Sequence, residues 1–198
     1  MSAKYAVVLL HGLGLSSLFM YSIQRYLRLA GFDVYTIDYP SRKNNIDSSV
    51  IYVEGEIKKL ELECYDKVHI VGHSLGGIIA RILRHNKVLH NLSIVVTIGS
   101  PSNGSSLAAM IGHFKAMRWY FGPALDDLVP GSSFMNTFKN VSLANDLIVG
   151  TNSKYALFGW WFDGVSDGTG LEREVIVSDI ISISLMLHMY RCCIIRAF

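Results

Sequence analysis

Cysteine is scarce in this 198-residue chain, which has three. Cys64 lies in a charged, helix-like stretch, and Cys192 and Cys193 are sequence neighbours that cannot easily bridge each other. A disulfide framework is excluded, and a buried apolar core must stabilise the fold. Charge is sparse as well: 17% of residues are charged, with 18 basic and 16 acidic side chains and a net charge of +2. No Lys/Arg cluster is interleaved with aromatics, so the chain lacks the footprint of a nucleic-acid partner. No linker composition or internal repeat divides it, and the length fits one domain over residues 1–198.

Long apolar spans are also missing. Residues 88–114 carry no Asp, Glu, Lys or Arg, but Asn91, Pro101, Asn103 and several serines interrupt them, and residues 180–187 are too short to span a bilayer. No transmembrane segment is expected. The N-terminal run Tyr5 to Leu10 lacks a small-x-small cleavage site and leads straight into His11-Gly12-Leu13-Gly14, so it reads as a first strand and a cytoplasmic location is expected. Hydrophobic residues make up 51% of the chain, and the mean hydropathy of +0.32 is high. A core-rich small domain accounts for this, and a patch making transient lipid-surface contact is the alternative.

What is present is alternation. β-rich apolar runs (Tyr5 to Leu10, Val34 to Ile37, Val68 to Val71, Ile94 to Ile98) interleave with helical patterns (Leu18 to Leu29, Val50 to Leu62, Ile78 to Leu83). Near-continuous Val/Ile/Leu strands belong to sheets buried on both faces, so an α/β fold with a mostly parallel sheet is expected. From about Pro101 to Asn145 the alternation gives way to turns around one helical pattern, Leu107 to Tyr120. This stretch reads as a small cap-like insertion whose Met110, Met117 and Phe121 suit an apolar acyl chain, or else as an ordinary packed excursion. A strand at Asp146 to Gly150, a Trp/Gly-rich loop, a strand within Val175 to Leu187 and an amphipathic end, Met189 to Phe198, complete the pattern.

The third strand ends in Gly72-His73-Ser74-Leu75-Gly76 and passes into a helix. A serine hydroxyl is a poor nucleophile unless it is exposed beside a base, and a sharp strand-to-helix turn provides that exposure. Gly72 and Gly76 would leave out side chains that collide where the chain doubles back. The Leu75 N–H then points at a developing oxyanion, and a second donor is expected from Leu13 in the His-Gly turn after the first strand. Both motifs end strands of one sheet and fall on one rim, where such sheets bind ligands.

A base and an acid should follow the serine, each after a later strand. Of seven histidines, His11, His69, His73, His85, His90 and His113 belong to a turn, a strand, the elbow, a helix end or the cap, which leaves His188. Asp167, in Ser166-Asp167-Gly168 and 21 residues before His188, is the preferred acid, with Asp163 as the alternative. Asp126, Asp127 and Asp146 read as solvated charges or caps.

The strings Val7 to Gly14, Asp38-Tyr39-Pro40-Ser41-Arg42, Gly72 to Gly77, Ile98 to Ser105 and Ser166-Asp167-Gly168 together resemble a small α/β-hydrolase of the bacterial esterase and triacylglycerol-lipase type. The resemblance spans most of the chain. It implies acyl transfer by a Ser-Asp-His triad of Ser74, Asp167 and His188, acting on a small-molecule ester or lipid substrate, with no metal and no organic cofactor. A thioesterase is a close chemical relative. Leu187 and Met189 flank His188 where the family commonly places hydroxyl residues, which keeps a non-catalytic hydrolase-like protein that binds an apolar ligand as the competing expectation.

Overall fold

The computed structural model describes residues 4–141 and the backbone of residues 146–149. Five strands, β1 (Tyr5–Leu10), β2 (Asp33–Ile37), β3 (Lys67–His73), β4 (Leu92–Ile98) and β5 (Asp146–Val149), form one sheet in the order β2-β1-β3-β4-β5. Every neighbouring pair is parallel. The strands fall where the apolar runs predict them.

Strand β1 shows why those runs are continuous. Ala6, Val8 and Leu10 face a core shared with Val50, Val53 and Ile57 of α2 (Ile46–Lys59) and Ile78, Ile79 and Leu83 of α3 (Leu75–His85). Val7 and Leu9 face the other side, toward Met20 in the 3₁₀ turn Ser17–Met20 and Leu27 of α1 (Tyr21–Leu29). With helices on both faces, no β1 residue from Ala6 to Leu10 is more than 1% exposed, so no polar alternation survives. A fully buried side chain of the Val/Leu/Ile class contributes about 1.5–3 kcal/mol, which makes this two-faced core the main source of stability.

Helix α2 starts at Ile46, earlier than the apolar pattern at Val50 indicates. Two polar groups explain the extra turn: Asn45 Oδ1 accepts from the Ser48 N–H at 2.9 Å, and Asp127 Oδ2 accepts from the Ile46 N–H at 2.8 Å. Both satisfy N-terminal donors that have no intrahelical partner. Between β4 and β5, the one helix expected over Leu107 to Tyr120 is two, α4 (Ser106–Ile111) and α5 (Lys115–Phe121). The first ends at Gly112, and Phe114 is extended (φ −92°, ψ 116°), so the apolar period carries across a break in the backbone. Two further helices, α6 (Ala124–Asp127) and α7 (Ser133–Phe138), are too short to display a 3.6-residue period.

The strand order sets the position of the site. From β1 the chain moves to β2 on one side, then crosses to β3 on the other, so the connections diverge between β1 and β3. In open parallel sheets that divergence leaves a crevice at the carboxyl ends of the strands. Leu10 pairs with Gly72 there, bringing His11-Gly12 and His73-Ser74 together. The strand expected within Val175 to Leu187, the segment Met189 to Phe198, and Cys192 and Cys193 lie outside the described residues, whereas Cys64 is exposed. No helix among the described residues is long and apolar enough to cross a membrane.

Candidate active site

Ser74 joins β3 to α3 with φ 50° and ψ −117°, a backbone conformation that L-residues rarely adopt. The surroundings hold it there. Its N–H donates to the Ile98 carbonyl at 2.9 Å, and its carbonyl accepts from the Gly77 N–H at 3.0 Å and from Ser100 Oγ at 2.8 Å. A Cβ at Gly72 would overlap the Gly76 carbonyl, and one at Gly76 would overlap the Leu10 carbonyl. The elbow therefore closes on itself and packs against β1 only because both positions are glycine.

The turn after β1 lies against the elbow. A Cβ built on Gly12 would stand 3.2 Å from the Ser74 Cβ and 2.8 Å from His73 Nδ1. Leu13 follows in this turn, and its N–H donates to no acceptor among the described residues. The N–H of Leu75, the first residue of α3, has no acceptor within the helix because it precedes the first intrahelical donors. Leu75 follows the serine directly, and the turn that carries Leu13 lies against the elbow at the carboxyl ends of β1 and β3.

His11 and His73, brought together where Leu10 pairs with Gly72, are both weakened as bases by burial. His11 is buried, stacks on Tyr39 with centroids 4.3 Å apart, and places Nδ1 2.8 Å from the Gly12 carbonyl. Burial lowers its pKa against the opposing effects of the Gly12 carbonyl and of Asp38, 3.6 Å from Nε2. For Asp38, burial opposes ionisation, but the Ser17 hydroxyl and N–H, both at 2.6 Å, together with His11, outweigh it and hold the carboxyl below its ordinary value. His73 lies under Phe19, with centroids 4.8 Å apart, and burial followed by the nearby His11 lowers its pKa to about 4. Burial thus disfavours the protonated form of both rings.

Phe121, at the end of α5, reaches the same rim: its ring lies 3.1 Å from the Cβ position of Gly14. Met117 of α5 and Met110 of α4 are 37% and 52% exposed. Asp126 pairs with Arg118, and Asp127 caps α2, in keeping with their expected roles as charges and caps. The structure places Leu75 next to Ser74, the Gly12-Leu13 turn against the elbow, and Phe121 on Gly14 of that turn. Asp163, Asp167 and His188 lie outside the described residues. Sequence reasoning missed Ser100, whose hydroxyl anchors the elbow from the end of β4, and the grip of Ser41 and Arg42 on Gly14. Their only signal was membership of the strings Ile98 to Ser105 and Asp38 to Arg42.

A family model described as "Alpha/beta hydrolase family" matches residues 7–180. No curated protein matches the chain. Among solved structures, a lipase of Bacillus licheniformis in mature form superposes with a TM-score of 0.62 at 23% identity, covering 77% of this chain and 67% of that one. The phospholipase PlaB of Legionella pneumophila gives 0.64 at 19% identity, covering 84% of this chain and 41% of that one. A monoacylglycerol lipase of Paleococcus ferrophilus gives 0.53 at 17% identity, covering 94% and 96%. The chain spans about two thirds of the Bacillus lipase and under half of the phospholipase, and what it shares with all three is the fold.

Proposed function

The chain belongs to the alpha/beta hydrolase family, and from that premise we propose that it is a serine hydrolase cleaving carboxylic esters, as an esterase or lipase, through an acyl-enzyme on Ser74. The observation that carries this reading is the backbone of Ser74: an L-residue held at φ 50° at a strand-to-helix tip, with the Gly12-Leu13 turn against it. Such a conformation costs free energy, and at a strand-to-helix tip it is the kind that presents a serine hydroxyl to a substrate.

In this mechanism Ser74 Oγ adds to the ester carbonyl carbon while His188 takes the serine proton. The carbonyl π pair moves onto oxygen, and the Leu13 and Leu75 amides receive that charge. Collapse breaks the bond to the alcohol oxygen, which leaves with the proton held by His188. Water then adds to the acyl-enzyme by the same route and releases the acid and Ser74. Asp167, with Asp163 as the alternative, holds the imidazole in the required tautomer. Met110, Met117 and Phe121, on the cap over residues 101–145, take the acyl chain. Solved neighbours that are themselves named lipases and a phospholipase are in keeping with an ester or lipid substrate, with a thioester as the close chemical alternative.

Hydrolysis of p-nitrophenyl esters by wild type and Ser74→Ala tests the proposal. The expected loss is on the order of 10⁴-fold or more. Equal rates in the two proteins would remove Ser74 from the reaction, and a folded wild type without activity on esters or thioesters would favour the apolar-ligand binder.

A further inference from the structure

The turn that carries Leu13 is gripped from outside by two residues of the Asp38 to Arg42 string. The Gly14 N–H donates to Ser41 Oγ at 3.1 Å, and Arg42 Nη2 donates to the Gly14 carbonyl at 2.7 Å. The same Nη2 donates to the Tyr120 hydroxyl at 2.9 Å, and the guanidinium carbon stands 4.3 Å from the Tyr120 ring centroid. The backbone joins the contact. Gly122, at φ 75°, lies so close to the Arg42 carbonyl that a Cβ would overlap it, and the neighbouring Phe121 packs on Gly14. One guanidinium thus bridges the turn after β1 and the helix α5.

We propose that Arg42 is a positioning residue that couples the seating of α5 to the placement of the Leu13 amide. The coupling rests on Leu13 being an oxyanion donor, as proposed above. A donor lowers a barrier only if it is already aimed where charge will develop, and the Gly12-Leu13-Gly14 turn, with glycine on both sides of Leu13, is closed from within by one backbone hydrogen bond, Leu15 N–H to the Gly12 carbonyl at 3.2 Å. Ser41 and Arg42 fix the peptide groups on either side of Gly14, and Tyr120 fixes Arg42. When α5 is seated, the turn is clamped; when Tyr120 withdraws, one of the guanidinium's two partners is lost. An acyl chain that packs under α5 thereby helps to set the oxyanion hole. The guanidinium plane matters as well as its charge, because it stacks on the Tyr120 ring while donating to Gly14.

The test compares Arg42→Ala, Arg42→Lys, Tyr120→Phe and Tyr120→Ala with wild type, using kcat and KM on p-nitrophenyl butyrate. A parallel readout is the Ki of phenylboronic acid, whose tetrahedral serine adduct loads the oxyanion hole. Thermal melts confirm folding, and Tyr120→Phe, which removes one oxygen, stands in if a harsher variant unfolds. Arg42→Ala is expected to lower kcat roughly tenfold with KM within about twofold, and to weaken phenylboronic acid by the same factor as kcat/KM. Arg42→Lys should recover only part of the loss, and Arg42→Ala with Tyr120→Ala should lose less than the product of the single effects. A kcat and boronate Ki within twofold of wild type, or independent multiplication of the two losses, would overturn the coupling while leaving the hydrolase reading intact. Failure of wild-type Ser74 to react with a fluorophosphonate would overturn both.

Discussion

The left-handed backbone of Ser74 makes a prediction about stability that is independent of any substrate. At φ 50° and ψ −117° the Cβ crowds the adjacent peptide, whereas glycine reaches this region freely. Replacing Ser74 by alanine keeps the Cβ and so the strain; replacing it by glycine removes both. Strain at such a residue is about 1–3 kcal/mol, and the added freedom of glycine in the unfolded chain returns roughly 0.4–1 kcal/mol of that. Ser74→Gly should therefore be more stable than Ser74→Ala by about 1 kcal/mol, roughly 2–4 °C in Tm for a chain of this size. Comparison with alanine cancels the loss of the hydroxyl, so the difference reports the backbone. Thermal unfolding followed by circular dichroism at one pH and one scan rate measures it. A Ser74→Gly variant less stable than Ser74→Ala would mean that any strain at the elbow is smaller than the roughly 0.4–1 kcal/mol that glycine's unfolded-state freedom offsets, and the strain argument for singling out Ser74 would fall with it.

Two further outcomes follow from the polar groups of the fold. His69, inside β3 and 3% exposed, has its pKa lowered to about 4, chiefly by burial and then by Lys67 and Arg84. Between pH 6.5 and 4 the unfolded chain binds a proton that the folded chain refuses, so stability is full above 6.5 and is lost as pH falls, by up to about 1.4 kcal/mol per pH unit. His69→Leu should flatten the dependence of Tm on pH across that window, and an unchanged slope would show that His69 protonates without cost in the fold. Asp127→Ala removes the acceptor for the Ile46 N–H and should cost about 1 kcal/mol in denaturant unfolding with kcat unchanged; no loss of stability would mean that water replaces the cap fully.

Residues whose constraints are local were the legible ones. The β1 run is buried from Ala6 to Leu10 because helices cover both faces, and a two-sided burial writes itself into sequence as unbroken Val and Leu. Gly72 and Gly76 were legible for the same reason: each collision they avoid arises within the elbow or with the strand beside it. Contacts across long separations left no such trace. Asp127 extends α2 from 81 residues away, and the break at Gly112 is hidden under an apolar period that runs through both α4 and α5. The link of Arg42 to Tyr120 spans 78 residues, and nothing in either neighbourhood announces it. The order of Ser74, Asp167 and His188 was legible as order, but reach is a three-dimensional property that order does not contain.

The central claim is that Ser74 is an activated nucleophile. The most direct measurement is reaction of the folded protein with a fluorophosphonate, followed by mass spectrometry of the intact chain and its peptides. The account predicts one covalent adduct, mapped to Ser74 and absent from Ser74→Ala. No adduct on a folded wild type, or equal labelling of Ser74→Ala, would contradict it.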